Sequence, residues 1–183
     1  MIVLGIDPGL TRLGFGVVRS SGSRDVSMLN VGVFNSSANA PIEQRIGSLA
    51  NEITELLRSY KPDAIAIERV FAQSNLRSVM GVAQISGVVL NLAFQSGIPI
   101  TFYTPSAVKK AVTGSGRADK AQVGFMVAKI LKLSEVPRPA DASDSLAIAI
   151  CHAWHGEESI ANSLTEAQQK WLAAVAKAKA AKG

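Results

Sequence analysis

Four carboxylates in this chain stand where an acidic residue needs a reason. Asp7 closes the apolar run of residues 1–6 and is followed by Pro8 and Gly9. Glu68 closes a second apolar run, Ala64-Ile-Ala-Ile. Asp141 and Asp144 lie three apart where a helical pattern begins, so they share a face. A carboxylate at the end of a buried strand is costly unless something offsets its charge. Taken singly, three of them have an ordinary explanation. Asp-Pro-Gly is common turn chemistry, in which the side chain accepts from turn N–H groups. Asp141-Ala-Ser-Asp144 also fits a capping box, with Asp141 as N-cap and Asp144 at N3. Brought into one pocket, however, the four would repel and raise one another's pKa values. Hard oxygen ligands in such a cluster suit Mg²⁺ or Mn²⁺, and no Cys/His set has zinc spacing. Two ions about 3.5–4 Å apart would activate water and stabilise the leaving oxygen of a phosphodiester.

The elements that must position these acids are readable from the pattern. Residues 1–6 are a buried strand that stops at Pro8 and Gly9. Residues 15–19 and 26–34 read as two more strands, joined by connections short enough for antiparallel hairpins. Pro41 opens an amphipathic helix with Ile42, Ile46, Leu49, Ile53, Leu56 and Leu57 on one stripe. Residues 64–68 read as a central strand, 76–95 as a long helix stopped by Gly97, and 98–103 as a further strand. Short helices follow at 104–112 and 119–131, then a proline-containing loop, then a helix from Asp141 to about His155. That order predicts an α/β fold: a mixed central sheet of about five strands, its first strand in the middle, with helices on both faces. Residues 1–156 are expected to form one domain. Residues 157–183, rich in Ala and Lys, are expected to be a helical or disordered tail.

The totals agree with a globular protein: 183 residues, 48% hydrophobic, 18% charged, formal net charge +5. Setting four acids aside in a metal pocket leaves the remaining surface more cationic still, which suits a nucleic-acid partner. A single cysteine, Cys151, excludes an intrachain disulfide. No signal-peptide pattern opens the chain. The apolar window 79–94 is interrupted by Gln84, Ser86 and Asn91 and reads as too short to span a bilayer. A soluble, cytoplasmic protein with no membrane partner is expected. Lys109, Lys110, Arg117 and Lys120 cluster around Gly114-Ser-Gly116 as candidate phosphate contacts, although for any one lysine a solvated face is the more ordinary explanation. Phe71, three residues past Glu68, is placed either to stack on a base or to fill the core. His152 and His155 read as helix-surface residues.

Four motifs in order then carry a resemblance. Ile-Asp-Pro-Gly at 6–9, Ile-Ala-Ile-Glu at 65–68 with Val70-Phe71, Gly-Ser-Gly-Arg-Ala-Asp-Lys-Ala-Gln-Val at 114–123, and Ala-Asp-Ala-Ser-Asp-Ser-Leu-Ala-Ile-Ala-Ile at 140–150 resemble the RuvC Holliday junction resolvases. The match spans about residues 1–155. The resemblance implies a ribonuclease H-like fold and a homodimer whose contact involves the long helix at 76–95. It implies Mg²⁺-dependent endonuclease activity, with two ions per subunit and Mn²⁺ as a substitute. The expected reaction is two symmetric nicks across four-way junction DNA, leaving 5′-phosphate ends, in concert with the RuvA–RuvB branch-migration complex. By position it makes Asp7, Glu68, Asp141 and Asp144 the catalytic, metal-holding acids. It places Lys109 and Lys120 near the scissile phosphate and makes Phe71 the base-stacking aromatic. Two rivals share parts of this pattern. Nucleotide-binding domains of the actin and heat-shock chaperone type begin similarly, but need a second lobe and a second Asp-x-Gly loop. A DNA-binding module of the same fold that does not cut would be betrayed by a missing acid, and all four are present.

Overall fold

The computed structural model describes residues 1–22, 24–69 and 76–163. Its element order is β1 (Ile2–Asp7), β2 (Arg12–Gly22), β3 (Asp25–Asn35), α1 (Ile42–Tyr60), β4 (Ala64–Glu68), α2 (Leu76–Ser96), β5 (Ile100–Tyr103), α3 (Pro105–Thr113), α4 (Lys120–Ile130) and α5 (Ala140–Ser163). The five strands form one sheet in the order β3-β2-β1-β4-β5, with β1 in the centre. β1–β2 and β2–β3 are antiparallel hairpins, whereas β1–β4 and β4–β5 are parallel. Parallel pairs need crossovers, which α1 and α2 supply.

Side-chain alternation divides the core in two. In β1, Leu4 and Ile6 point to the face covered by α1 and α2, where they join Leu49, Ile53, Ile65 and Ile67. Val3 points to the opposite face, with Val18, Ala66 and the buried residues of α3, α4 and α5. The odd-numbered positions of β1 and the even-numbered ones of β4 therefore share the α5 face. α5 is buried continuously from Ser145 to His152, because it lies between the sheet and the pair α3, α4.

Several boundaries differ from expectation. β2 begins at Arg12 rather than Phe15, since Leu13 and Gly14 already pair with Phe34 and Val33. β5 begins only at Ile100, just after Pro99, which has no N–H to offer a ladder. α5 continues past His155 to Ser163, into the expected tail of residues 157–183, whose remainder, 164–183, lies outside the described residues. The expected capping box at Asp141 is absent, because Ala140 is already helical and Asp141 falls in the first turn. A capping box is found instead on α4, where the Asp119 side chain accepts from Gln122 N and the Gln122 side chain accepts from Asp119 N.

His152 corrects a second expectation. It is buried, and its Nδ1 is 2.9 Å from the Tyr103 hydroxyl, tying α5 to the end of β5. His155 is half-buried, with no partner for Nδ1 among the described residues. The window Val79–Ser96 within α2 is also longer than read from the sequence. By length and composition alone it could cross a bilayer, and only 17% of it is buried in this chain.

Candidate active site

The period of two that sorts the core also places the acids. Asp7 and Glu68 fall on the α5 face of β1 and β4, in step with Val3 and Ala66. The parallel register sets Ile6 beside Ile67, so the next residues, Asp7 and Glu68, emerge together at the carboxyl ends of neighbouring strands. Small residues on that face then let α5 come close. Asp7 is paired with Gly14 of β2, and a Cβ on Gly14 would stand 2.2 Å from the Asp141 backbone oxygen. Only glycine permits that approach. It seats the first turn of α5, with Asp141 and Asp144, over the ends of β1 and β4.

The electrostatics reflect this convergence. Asp7 is pushed up to about 7, first by burial and then by the charges of Glu68, Asp144 and Asp141. Glu68 is raised as well, first by burial and then by Asp144. Lys120 opposes both shifts and Lys109 opposes the second. The helix acids carry cations of the chain's own. The Lys120 ammonium donates to Asp144 Oδ2 at 3.0 Å, which raises the lysine's own pKa. The Arg12 guanidinium donates to Asp141 Oδ2. Among the described residues, no three acidic, His or Cys side chains form a ready-made metal site. With Arg12 and Lys120 holding two of the four carboxylates, the acids are assembled but not yet converged. The donor set is oxygen only, and among the described residues no cation is hydrogen-bonded to Asp7 or Glu68. Both properties fit a hard divalent cation.

These shifts give stability a definite pH dependence. In the unfolded chain Asp7 titrates near 3.8. The folded protein therefore holds a proton on Asp7 that the unfolded chain has released between that value and about 7. This stability is fully present below the lower value and lost as pH rises through the upper one. His152, lowered by burial from 6.5, acts oppositely but only on the acid side of that value. Without metal, the Tm is thus expected to fall between pH 6.5 and about 8, and Asp7→Asn is expected to flatten that segment. Thermal melts across a pH series check this; an unchanged slope in the variant would refute the assignment.

The remaining expected residues divide. Lys109 is half-buried and its charge reaches Glu68. Lys110, one residue on, turns away. It lines a cavity of about 650 Å³ between α3, α4 and α5, with Arg24, Met126, Cys151 and Trp154. Arg117 is exposed on the loop before α4 and is not among the charges acting on Asp7 or Glu68. Phe71 lies outside the described residues. Arg12 was missed from the sequence, since no local pattern announces a pair formed across 129 positions.

Comparison with known proteins bears on this arrangement. The sequence profile of the family described as "Crossover junction endodeoxyribonuclease RuvC" matches residues 3–152. The chain belongs to the RuvC family. It is 51% identical over 182 residues to the RuvC protein of Renibacterium salmoninarum, covering 98% of this chain and 94% of that one. It is 57% identical over 154 residues to that of Leifsonia xyli subsp. xyli, covering 84% and 74%. Among solved structures, RuvC of Thermus thermophilus in complex with a Holliday junction substrate superposes with a TM-score of 0.82 at 38% identity. That match covers 87% of this chain and 96% of the Thermus one. The ribonuclease H-like α/β fold and the resolvase reading are both borne out, and the nucleotide-binding rival falls away.

Proposed function

We propose that this RuvC-family protein resolves four-way DNA junctions by paired, symmetric, Mg²⁺-dependent nicks that leave 5′-phosphate ends. The observation that carries the reading is the gathering of Asp7, Glu68, Asp141 and Asp144 under the first turn of α5. The nuclease occupies residues 1–156, and Mn²⁺ substitutes for Mg²⁺. Asp7, Glu68, Asp141 and Asp144 would hold two ions, which would supply a water of lowered pKa and offset charge on the scissile phosphate. The chain's own residues do the rest. Asp7 and Glu68, on rigid strand ends, hold the site in place. Asp141 and Asp144 close it from α5, whose N-terminal partial positive charge faces the phosphate. Lys120 and Lys109 bring positive charge beside the scissile group. Phe71 stacks on a base, and Lys110 and Arg117 contact DNA phosphates.

A homodimer would place two such sites on one junction, as symmetric nicking requires. α2 supports this reading. Met80, Ala83, Gly87, Leu90 and Phe94 are exposed and spaced alternately three and four apart, the pattern of a helix-pairing seam. Phe94 is 85% exposed, which is a poor state for a large apolar side chain in a lone subunit. Burying this seam accounts for the apolarity of α2 without a membrane and accords with a soluble, cytoplasmic protein that works beside RuvA–RuvB.

The test is a nicking assay on a synthetic four-way junction, each strand labelled in turn, with linear duplex as control. Paired nicks on the junction alone, and only with Mg²⁺, are the expected result. Equal cleavage of linear duplex, or none under any metal, would overturn the reading.

A further inference from the structure

The four acids are not equivalent. Asp7 and Glu68 have no cationic hydrogen-bond partner among the described residues and are the two whose pKa values rise. Asp141 and Asp144 are each already paired. Lys120 belongs to a motif that the family resemblance accounts for, whereas Arg12 belongs to none.

Arg12 is also well founded. It opens β2 directly after the turn at 8–11, and Arg45 of α1 braces that turn. Arg45 Nη2 donates to Thr11 Oγ1 at 2.8 Å and Arg45 Nε to Ser36 Oγ at 3.0 Å. Ser36 N in turn donates to the Thr11 carbonyl at 3.0 Å. The backbone under Arg12 is therefore fixed. Its side chain is not: it is 51% exposed, while Asp141 is 23% exposed. A guanidinium stays charged at any working pH, so it leaves a carboxylate only by being displaced. Its stem can swing into solvent without disturbing the fold.

We propose that Arg12 is a displaceable counter-cation that competes with a divalent metal ion for Asp141 and so sets how much metal the site needs. It is a positioning residue. In the metal-free protein it holds the Asp141 carboxylate at the rim, and metal binding must break that pair before Asp141 can turn inward. The inference rests on the reading of the four acids as metal ligands.

The test is Mn²⁺ binding, followed by the loss of the free-ion paramagnetic resonance signal, on the full chain without DNA. Arg12→Gln is expected to bind Mn²⁺ roughly three- to tenfold more tightly than wild type, the scale of a partly exposed charge pair. Arg12→Lys keeps the charge and is expected to stay close to wild type. In an Asp141→Asn background, Arg12→Gln is expected to give no gain. Unchanged or weaker binding by Arg12→Gln overturns the proposal. So does a gain that persists without the Asp141 carboxylate, since that would be a long-range charge effect. If Asp7→Asn and wild type bind Mn²⁺ alike, the metal-site reading itself fails and takes the proposal with it. That result is separable from the others because it does not involve Arg12.

Discussion

Asp7→Asn is expected to reduce junction nicking by about a thousandfold, the upper end of what enzymes lose when a group stabilising transition-state charge is removed. Asparagine keeps the shape at the end of β1 but cannot carry negative charge, so it takes away the carboxylate that stands deepest in the cluster. The fold should gain rather than lose. Asp7 is pushed up to about 7 by burial and by three neighbouring carboxylates, so its ionised form is unwelcome in the metal-free protein. A neutral amide removes that repulsion. Above pH 7, without metal, the variant's Tm is expected to exceed that of wild type by several degrees. For a chain of this size each ~1 kcal/mol moves Tm by roughly 2–4 °C. Gel-shift affinity for the junction should be preserved, since the phosphate-facing cations are untouched. Nicking within tenfold of wild type would show that Asp7 holds no ion that matters.

Gly14→Ala should produce the second large effect while removing no acid and no cation. The added methyl would lie 2.2 Å from the Asp141 backbone oxygen and 2.8 Å from its carbonyl carbon. Backbone cannot swing aside as a side chain can, so the first turn of α5 or the strand beneath it must move. The expected stability loss is about 1–3 kcal/mol, as for other overpacked sites. The catalytic loss should be larger in proportion, at about a hundredfold, because misplacing a reacting group by roughly 1 Å costs that much. Gly47→Ala is the control. That glycine lies within α1 with open space around it, and alanine there is expected to be neutral or to stabilise by up to ~1 kcal/mol. Melting curves and single-turnover nicking of the two variants check this. A Gly14→Ala protein that melts lower but cuts at the wild-type rate would show that α5 need not sit so close.

The strand ends were legible because two short-range signals coincided there. An apolar run that stops in an acid fixes both the element and the outlying residue, and Asp7 and Glu68 needed nothing more. The fold class was legible for a related reason: the order of strand-like and helix-like periods admits few topologies, and β1 came out central as expected. Three features were not legible, each for its own reason. The Arg12–Asp141 pair depends on the docking of α5 onto β2, which no window of sequence contains. His152 read as a surface residue because α5 is apolar on nearly every side; its periodicity selects no face, and the Tyr103 hydroxyl that receives it comes from another element. Lys109 and Lys110 look alike as a basic pair, but adjacent helical residues point about 100° apart. Only one of them reaches the acids.

The seating of α5 also fixes when in its life this protein becomes able to cut. Asp7 and Glu68 are synthesised early, on strands that pair within the first 68 residues. Asp141 and Asp144 follow more than seventy positions later, on a helix that must find a glycine-lined track on a sheet already standing. On the proposed reading, a nascent chain still threaded through the ribosome at that helix holds only half of the acids that would bind metal. Because α5, the last helix among the described residues, also carries the last two of the four proposed acids, the proposed site is complete only once that helix has docked.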